Sequence, residues 1–159
     1  MNGRAEVTRL KQRLDATFSR VSILGADIEI QSDFARYLCV LVSGYLETAV
    51  TELVLEHARH AGGPSLQRFV EFRTRRFTNA NAQRLKDLLG SFDPDWGRAL
   101  EDLLVDEFKD AVDGIVDLKN TIAHGGSVGV TYQRVTDYYE RVQKVVDQIA
   151  DLCAPVYNK

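Results

Sequence analysis

The sequence predicts an all-α domain: an antiparallel helical bundle of four main helices plus one or two short accessory helices. Three observations carry this. Apolar residues recur at steps of three and four along most of the chain. Strand signals are nearly absent, and Val128-Gly129-Val130 is too short to count. Only three prolines interrupt 159 residues, which leaves room for long helices. A chain of that length fits a single domain, 1–159, with a core that needs no covalent staples.

The first helix is expected from about Arg4 to Val21, where Val7, Leu10, Leu14, Phe18 and Val21 paint one face. After a break around Gly25 to Gln31, Ser32 reads as the N-cap of a long helix from Asp33 to about Ala61. Its apolar residues wrap more than a narrow stripe, so it should be central. Gly62-Gly63-Pro64 ends it. Ser65 to Phe77 reads as a third helix and Asn81 to Leu89 as a short fourth. Asp93-Pro94 opens another through about Leu104, with Asp as N-cap and Pro at the first helical position. Val105 to Ala123 continues directly or after a small break, and Gly125-Gly126 stops it. The last helix spans about Thr131 to Cys153.

Net charge is −3, so any anionic partner must be met by a local patch. The two cysteines, Cys39 and Cys153, lie in apolar helical patterns and read as buried free thiols, which suits a reducing cytoplasm. Met1-Asn-Gly-Arg-Ala-Glu has no apolar run, so no signal peptide is expected. The stretch Tyr37 to Val50 carries Ser43, Gly44 and Glu47 and reads as a core helix of a soluble protein, with no membrane partner. There is no G-x-S-x-G, P-loop or dinucleotide fingerprint.

Three clusters are candidates for chemistry. His57 and His60 lie beside Glu52 and Glu56, but one further histidine and no nearby cysteine make a poor ligand set. A histidine near a helix end also serves the dipole, and neither metal nor cofactor is expected. Arg68, Arg73, Arg75, Arg76, Arg84 and Lys86 form a basic run interleaved with Phe69, Phe72 and Phe77. Such a run can track phosphates and stack bases, with Arg73, Arg75, Arg76 and Arg84 as the candidate RNA contacts. The alternative is an amphipathic helix with its phenylalanines in the core and its arginines solvated.

The third cluster is Lys119-Asn-Thr-Ile-Ala-His124-Gly125-Gly126. At about 100° per residue, Asp113, Asp117, Asn120 and His124 share one polar stripe. Lys119 falls among Phe108, Val112, Ile115, Ile122 and Ala123, on the apolar one. Its charge must snorkel out, meet a carboxylate, or lie at a wet interface with another chain.

Leu118-Lys119-Asn120-Thr121-Ile122-Ala123-His124-Gly125 resembles the signature of the HEPN superfamily, and looks most like its RiboL-PSP-HEPN branch. Asn120 matches the polar position, His124 the histidine, and Ile122, Ala123 and Gly125 the flanks. Lys119 stands where the family has Arg, and lacks the planar fork that grips a phosphate. A long upstream helix with Tyr45-Leu46-Glu47 and a long final helix with Tyr138-Tyr139-Glu140 extend the likeness. The resemblance implies either a metal-independent endoribonuclease of a toxin–antitoxin or defence system, or a non-catalytic module binding RNA, a nucleotide or a protein. His124, Asn120 and Lys119 would be the catalytic set, with Glu47 and Asp117 in support. A homodimer with two motifs facing one cleft, and an antitoxin or operon partner protein, are the implied partners.

Overall fold

The computed structural model describes residues 2–25, 27–126 and 128–155. Seven helices follow one another: α1 (Gly3–Ser22), α2 (Ile28–Ala61), α3 (Pro64–Thr74), α4 (Ala82–Phe92), α5 (Pro94–Leu103), α6 (Asp106–Ala123) and α7 (Tyr132–Leu152). No strand occurs among the described residues. Four helices are long and three are short, one short helix more than the sequence reading counted.

The ends show why. Asp27, not Ser32, caps α2: its carboxylate accepts the N–H groups of Glu29 and Ile30 at 3.0 and 3.2 Å. This extends the helix back across most of the expected break. α3 stops at Thr74 rather than Phe77, because the Phe77 N–H turns back onto the Thr74 carbonyl at 2.9 Å. Asn81 then caps α4, accepting the Arg84 N–H at 2.9 Å. Asp93 caps α5 as its Asp-Pro pair implied, and Asp106, with φ +47°, marks a true break before α6.

α2 is the hub. It packs against α1, α3, α6 and α7, while α6 pairs with α7 and α4 with α5. Short connections make α1/α2 and α6/α7 antiparallel neighbours. Leu38, Leu46 and Leu53 of α2 meet Ile115 of α6 and Ile149 of α7 in a core closed to solvent. By length and mean hydropathy α2 could cross a membrane, but 56% of its most apolar window is buried inside the structure, as a central bundle helix requires.

Aromatic rings lock α1, α2 and α7 together. Phe18 stacks on Tyr139 at 4.7 Å, and Tyr45 meets Tyr139 edge-on at 6.0 Å. The Tyr139 hydroxyl donates to Asp15 at 2.7 Å. Burial, and then that contact, push the Tyr139 phenol well above its ordinary value. Cys39 and Cys153 are free and buried, and burial pushes each thiol up to about 12.

Candidate functional site

Lys119 leaves the apolar face of α6 to meet two partners from distant parts of the chain. Its Nζ donates to Asn79 Oδ1 at 2.8 Å and lies 3.9 Å from Glu47 Oε1. The same Glu47 oxygen accepts the backbone N–H of Asn79 at 2.7 Å. An ammonium, a carboxylate and an amide from α6, α2 and the α3–α4 connection thus form one closed polar cluster. The Lys119 and Glu47 side chains are each 20% exposed, so the pair is shielded from much of the solvent screening that weakens surface ion pairs. Of the three fates open to a lysine on an apolar face, the structure selects the carboxylate within its own chain.

Asn79 is the member the sequence reading left outside the site. Its φ of +53° is left-handed, a conformation Asn tolerates because its short side chain bonds locally. That reversal turns the connection back toward α2 and α6. The signal was the turn-forming pattern Thr78-Asn79-Ala80-Asn81, but nothing in it pointed at Lys119.

His124 lies at the other end of the motif. It is the C-cap of α6, with its N–H on the Asn120 carbonyl at 3.1 Å and its side chain exposed. Gly125, at φ +76°, donates to Ile122 at 3.1 Å, and Gly126 donates to Thr121 at 2.8 Å. Together these bonds make a Schellman stop that satisfies the last carbonyls and leaves the imidazole standing in solvent. Asn120 is half-buried, and its side chain makes no hydrogen bond among the described residues. The five-residue step turns Lys119 about 140° away from His124, so one chain presents the cation inward and the imidazole outward.

The supporting carboxylates part ways. Glu47 joins the cluster. Asp117 does not: it is exposed, its carboxylate makes no hydrogen bond or ion pair among the described residues, and its carbonyl accepts the Thr121 hydroxyl at 3.0 Å. Asp113, from the same stripe, accepts the Ala82 N–H at 2.9 Å and pairs with Lys109 at 2.7 Å. It ties the start of α4 to α6.

Arg73, Arg75, Arg76 and Arg84 are all exposed, and none makes an ion pair among the described residues. Arg73 and Arg84 line one cleft of about 710 Å³ between α3 and α4, while Arg75 and Arg76 lie outside it on the turn after α3. Phe69 and Phe72 are 60% and 70% exposed, so the alternative with both rings in the core is wrong. Val70 and Thr74 take that face of α3 instead. His57 meets Trp96 edge-on at 4.7 Å, and His60 lies 4.0 Å from Glu56, so the two histidines have separate engagements.

Residues 4–154 match the RiboL-PSP-HEPN family. The chain belongs to that family. No curated protein and no solved structure matches it. Within this HEPN domain Lys119–Gly126 forms the last turn of α6 and its stop, and the Glu47–Asn79–Lys119 cluster ties α6 to α2 and to the α3–α4 connection.

Proposed function

We propose that this HEPN domain acts on single-stranded RNA at the C-terminal turn of α6, as a metal-independent endoribonuclease of a two-gene toxin or defence system. The observation that carries the reading is an exposed imidazole at the end of α6, five residues along the same helix from a cation that two side chains fix. His124 is free to move a proton, and Lys119 is held in place by Glu47 and Asn79. Such pre-positioned charge costs little reorganisation when negative charge grows on a phosphate.

Cleavage would proceed by attack of the 2′-oxygen on the neighbouring phosphorus. His124 takes the 2′-proton as the new oxygen–phosphorus bond forms and the bond to the 5′-oxygen breaks. The departing 5′-oxygen needs a proton from a second acid, and each chain offers one such histidine. That requirement supports a homodimer in which two His124 side chains flank one scissile bond, one as base and one as acid. Asn120 has an uncommitted amide for the phosphorane oxygens.

The test is direct. Purified protein should leave a 2′,3′-cyclic phosphate on single-stranded RNA in the presence of EDTA. His124→Ala should lose this activity while keeping stability within about 0.5 kcal/mol, because an exposed side chain fills no core. Lys119→Arg should raise the activity or reveal it. Cleavage that survives His124→Ala but stops with EDTA would overturn the mechanism.

A second reading has its own support. The Lys119 ammonium is already matched by Glu47 and Asn79, as a purely structural cation would be. If neither wild-type protein nor Lys119→Arg cuts RNA, the domain is a binding module for RNA, a nucleotide or a partner protein.

A further inference from the structure

We infer that the cleft between α3 and α4 is a nucleotide subsite. It would receive one unstacked base of single-stranded RNA and set the adjoining phosphate on Arg73 and Arg84. The inference rests on the RNA reading above but concerns a different part of the molecule from the motif.

The cleft exists because α3 packs chiefly on α2 and stands off from α4. Its floor is made shallow-sided by small residues of α2, Ala58 and Ala61, where any larger side chain would fill the space. The resulting volume of about 710 Å³ is within the range of small-ligand sites.

The lining carries two guanidinium groups, Arg73 from α3 and Arg84 from α4, neither with a carboxylate partner among the described residues. Arg84 lies over the Phe77 ring at 5.8 Å, within reach of a cation–π contact. Three phenylalanines, Phe69, Phe77 and Phe92, line it together with Leu66, Val70 and Leu88. Phe69 is the most open of them, with 60% of its surface free. Asp87 and Ser91, one turn apart on α4, also line it. Asp87 uses one oxygen on Gln83 at 2.8 Å, and the other has no partner among the described residues.

Each part answers a need of a nucleotide. Aromatic rings stack the base, an aspartate and a hydroxyl read its polar edge, and arginines take the phosphate. An amphipathic protein helix fits less well. Its apolar side chains would suit Leu66, Val70 and Leu88 but would also meet Arg73, Arg84 and Asp87, which a strand of alternating bases and phosphates matches better. The occupied cleft would also adjoin the motif's support, since Phe77 lines it and Asn79, two residues on, holds Lys119.

Trp96 reads the cleft out. It is the sole tryptophan and lies against two lining residues, at 4.7 Å from His57 and 6.1 Å from Phe92. Titration of the full chain with short single-stranded oligoadenylate should change Trp96 emission, and a blunt RNA duplex should not. Phe69→Ala should weaken single-strand binding about tenfold, the scale of one base stack, with circular dichroism unchanged because the ring is exposed. Arg84→Ala should lower the salt slope of binding by about one counterion. Oligoadenylate that binds Phe69→Ala as tightly as wild type, with Trp96 silent, overturns the subsite and leaves RNA binding elsewhere intact. Failure to bind any RNA overturns the RNA reading and the subsite together. If 5′-AMP binds as tightly as the oligonucleotide, the cleft holds a free nucleotide and the strand assignment is wrong. If an acidic amphipathic helical peptide binds and the oligonucleotide does not, the cleft is a protein-docking groove.

Discussion

Asn79 shows how much a single backbone angle can decide. At φ +53° it carries a left-handed strain of about 1 kcal/mol, offset by its N–H on Glu47 and its side chain on Lys119. These two roles separate by mutation. Asn79→Gly accepts the angle freely but removes the oxygen that holds Lys119. Asn79→Ala removes the oxygen and keeps the strain. Urea unfolding should therefore rank Ala below Gly by about 1 kcal/mol. RNA cleavage or binding should fall in both, because the ammonium loses its anchor in both. An Asn79→Gly protein with wild-type function would show that Asn79 only shapes the loop. Part of this cluster was legible in the sequence: a carboxylate was one of three fates open to a lysine on an apolar stripe, and Glu47 was named as supporting the motif, though not as the partner of Lys119. Asn79 was not legible as its partner. It joins a cluster with residues 32 and 40 positions away, and helical periodicity carries no information about how an irregular connection folds back.

Helix ends behaved the same way. The end written by a local pair, Asp93-Pro94, was legible. The start of α2 was not, because Asp27, four residues before the expected break ends, took the role assigned to Ser32. The end that would carry the proposed site is the C-terminus of α6, and its glycine is required by geometry. Gly125 sits at φ +76° with open space around it, so a side chain there meets no clash but does meet backbone strain. Gly125→Ala should cost about 1 kcal/mol in urea unfolding, and Gly125→Asn less, because Asn tolerates the left-handed region. The Ala variant should also frustrate the stop that fixes His124, so cleavage should fall further than stability alone explains. Equal stability of Ala and Gly at this position would mean the turn is not held as described.

At the scale of the molecule, α2 presents an unmatched surface. Its C-terminal two-thirds are wrapped by other helices. Nearer its start, Ile30, Phe34 and Tyr37 lie on one helical face at i, i+4 and i+7, and all three are exposed. Gly44 follows two turns later, exposed, with nothing within 4 Å of where its Cβ would be. A mid-helix glycine costs about 1 kcal/mol relative to alanine, and no neighbour within the chain requires this one. A second copy of α2 crossing here would use both features, the apolar side chains for burial and the glycine for close approach. Lys119 no longer argues for a dimer, since its charge is matched internally. The proposed dimer now rests on this face and on the need of the proposed cleavage for a second acid. Light scattering at micromolar concentration should give twice the chain mass. Phe34→Glu with Tyr37→Glu should give a monomer of unchanged helicity, because neither ring fills the core. Gly44→Trp should do the same by bulk alone, while Gly44→Ala should keep the dimer or stabilise the fold by up to about 1 kcal/mol. The monomeric variants keep His124, Asn120 and Lys119 intact, so loss of cleavage in them would trace the second proton to the partner copy. A wild-type monomer would remove the two-histidine mechanism. A dimer that survives both sets of substitutions would move the interface away from α2.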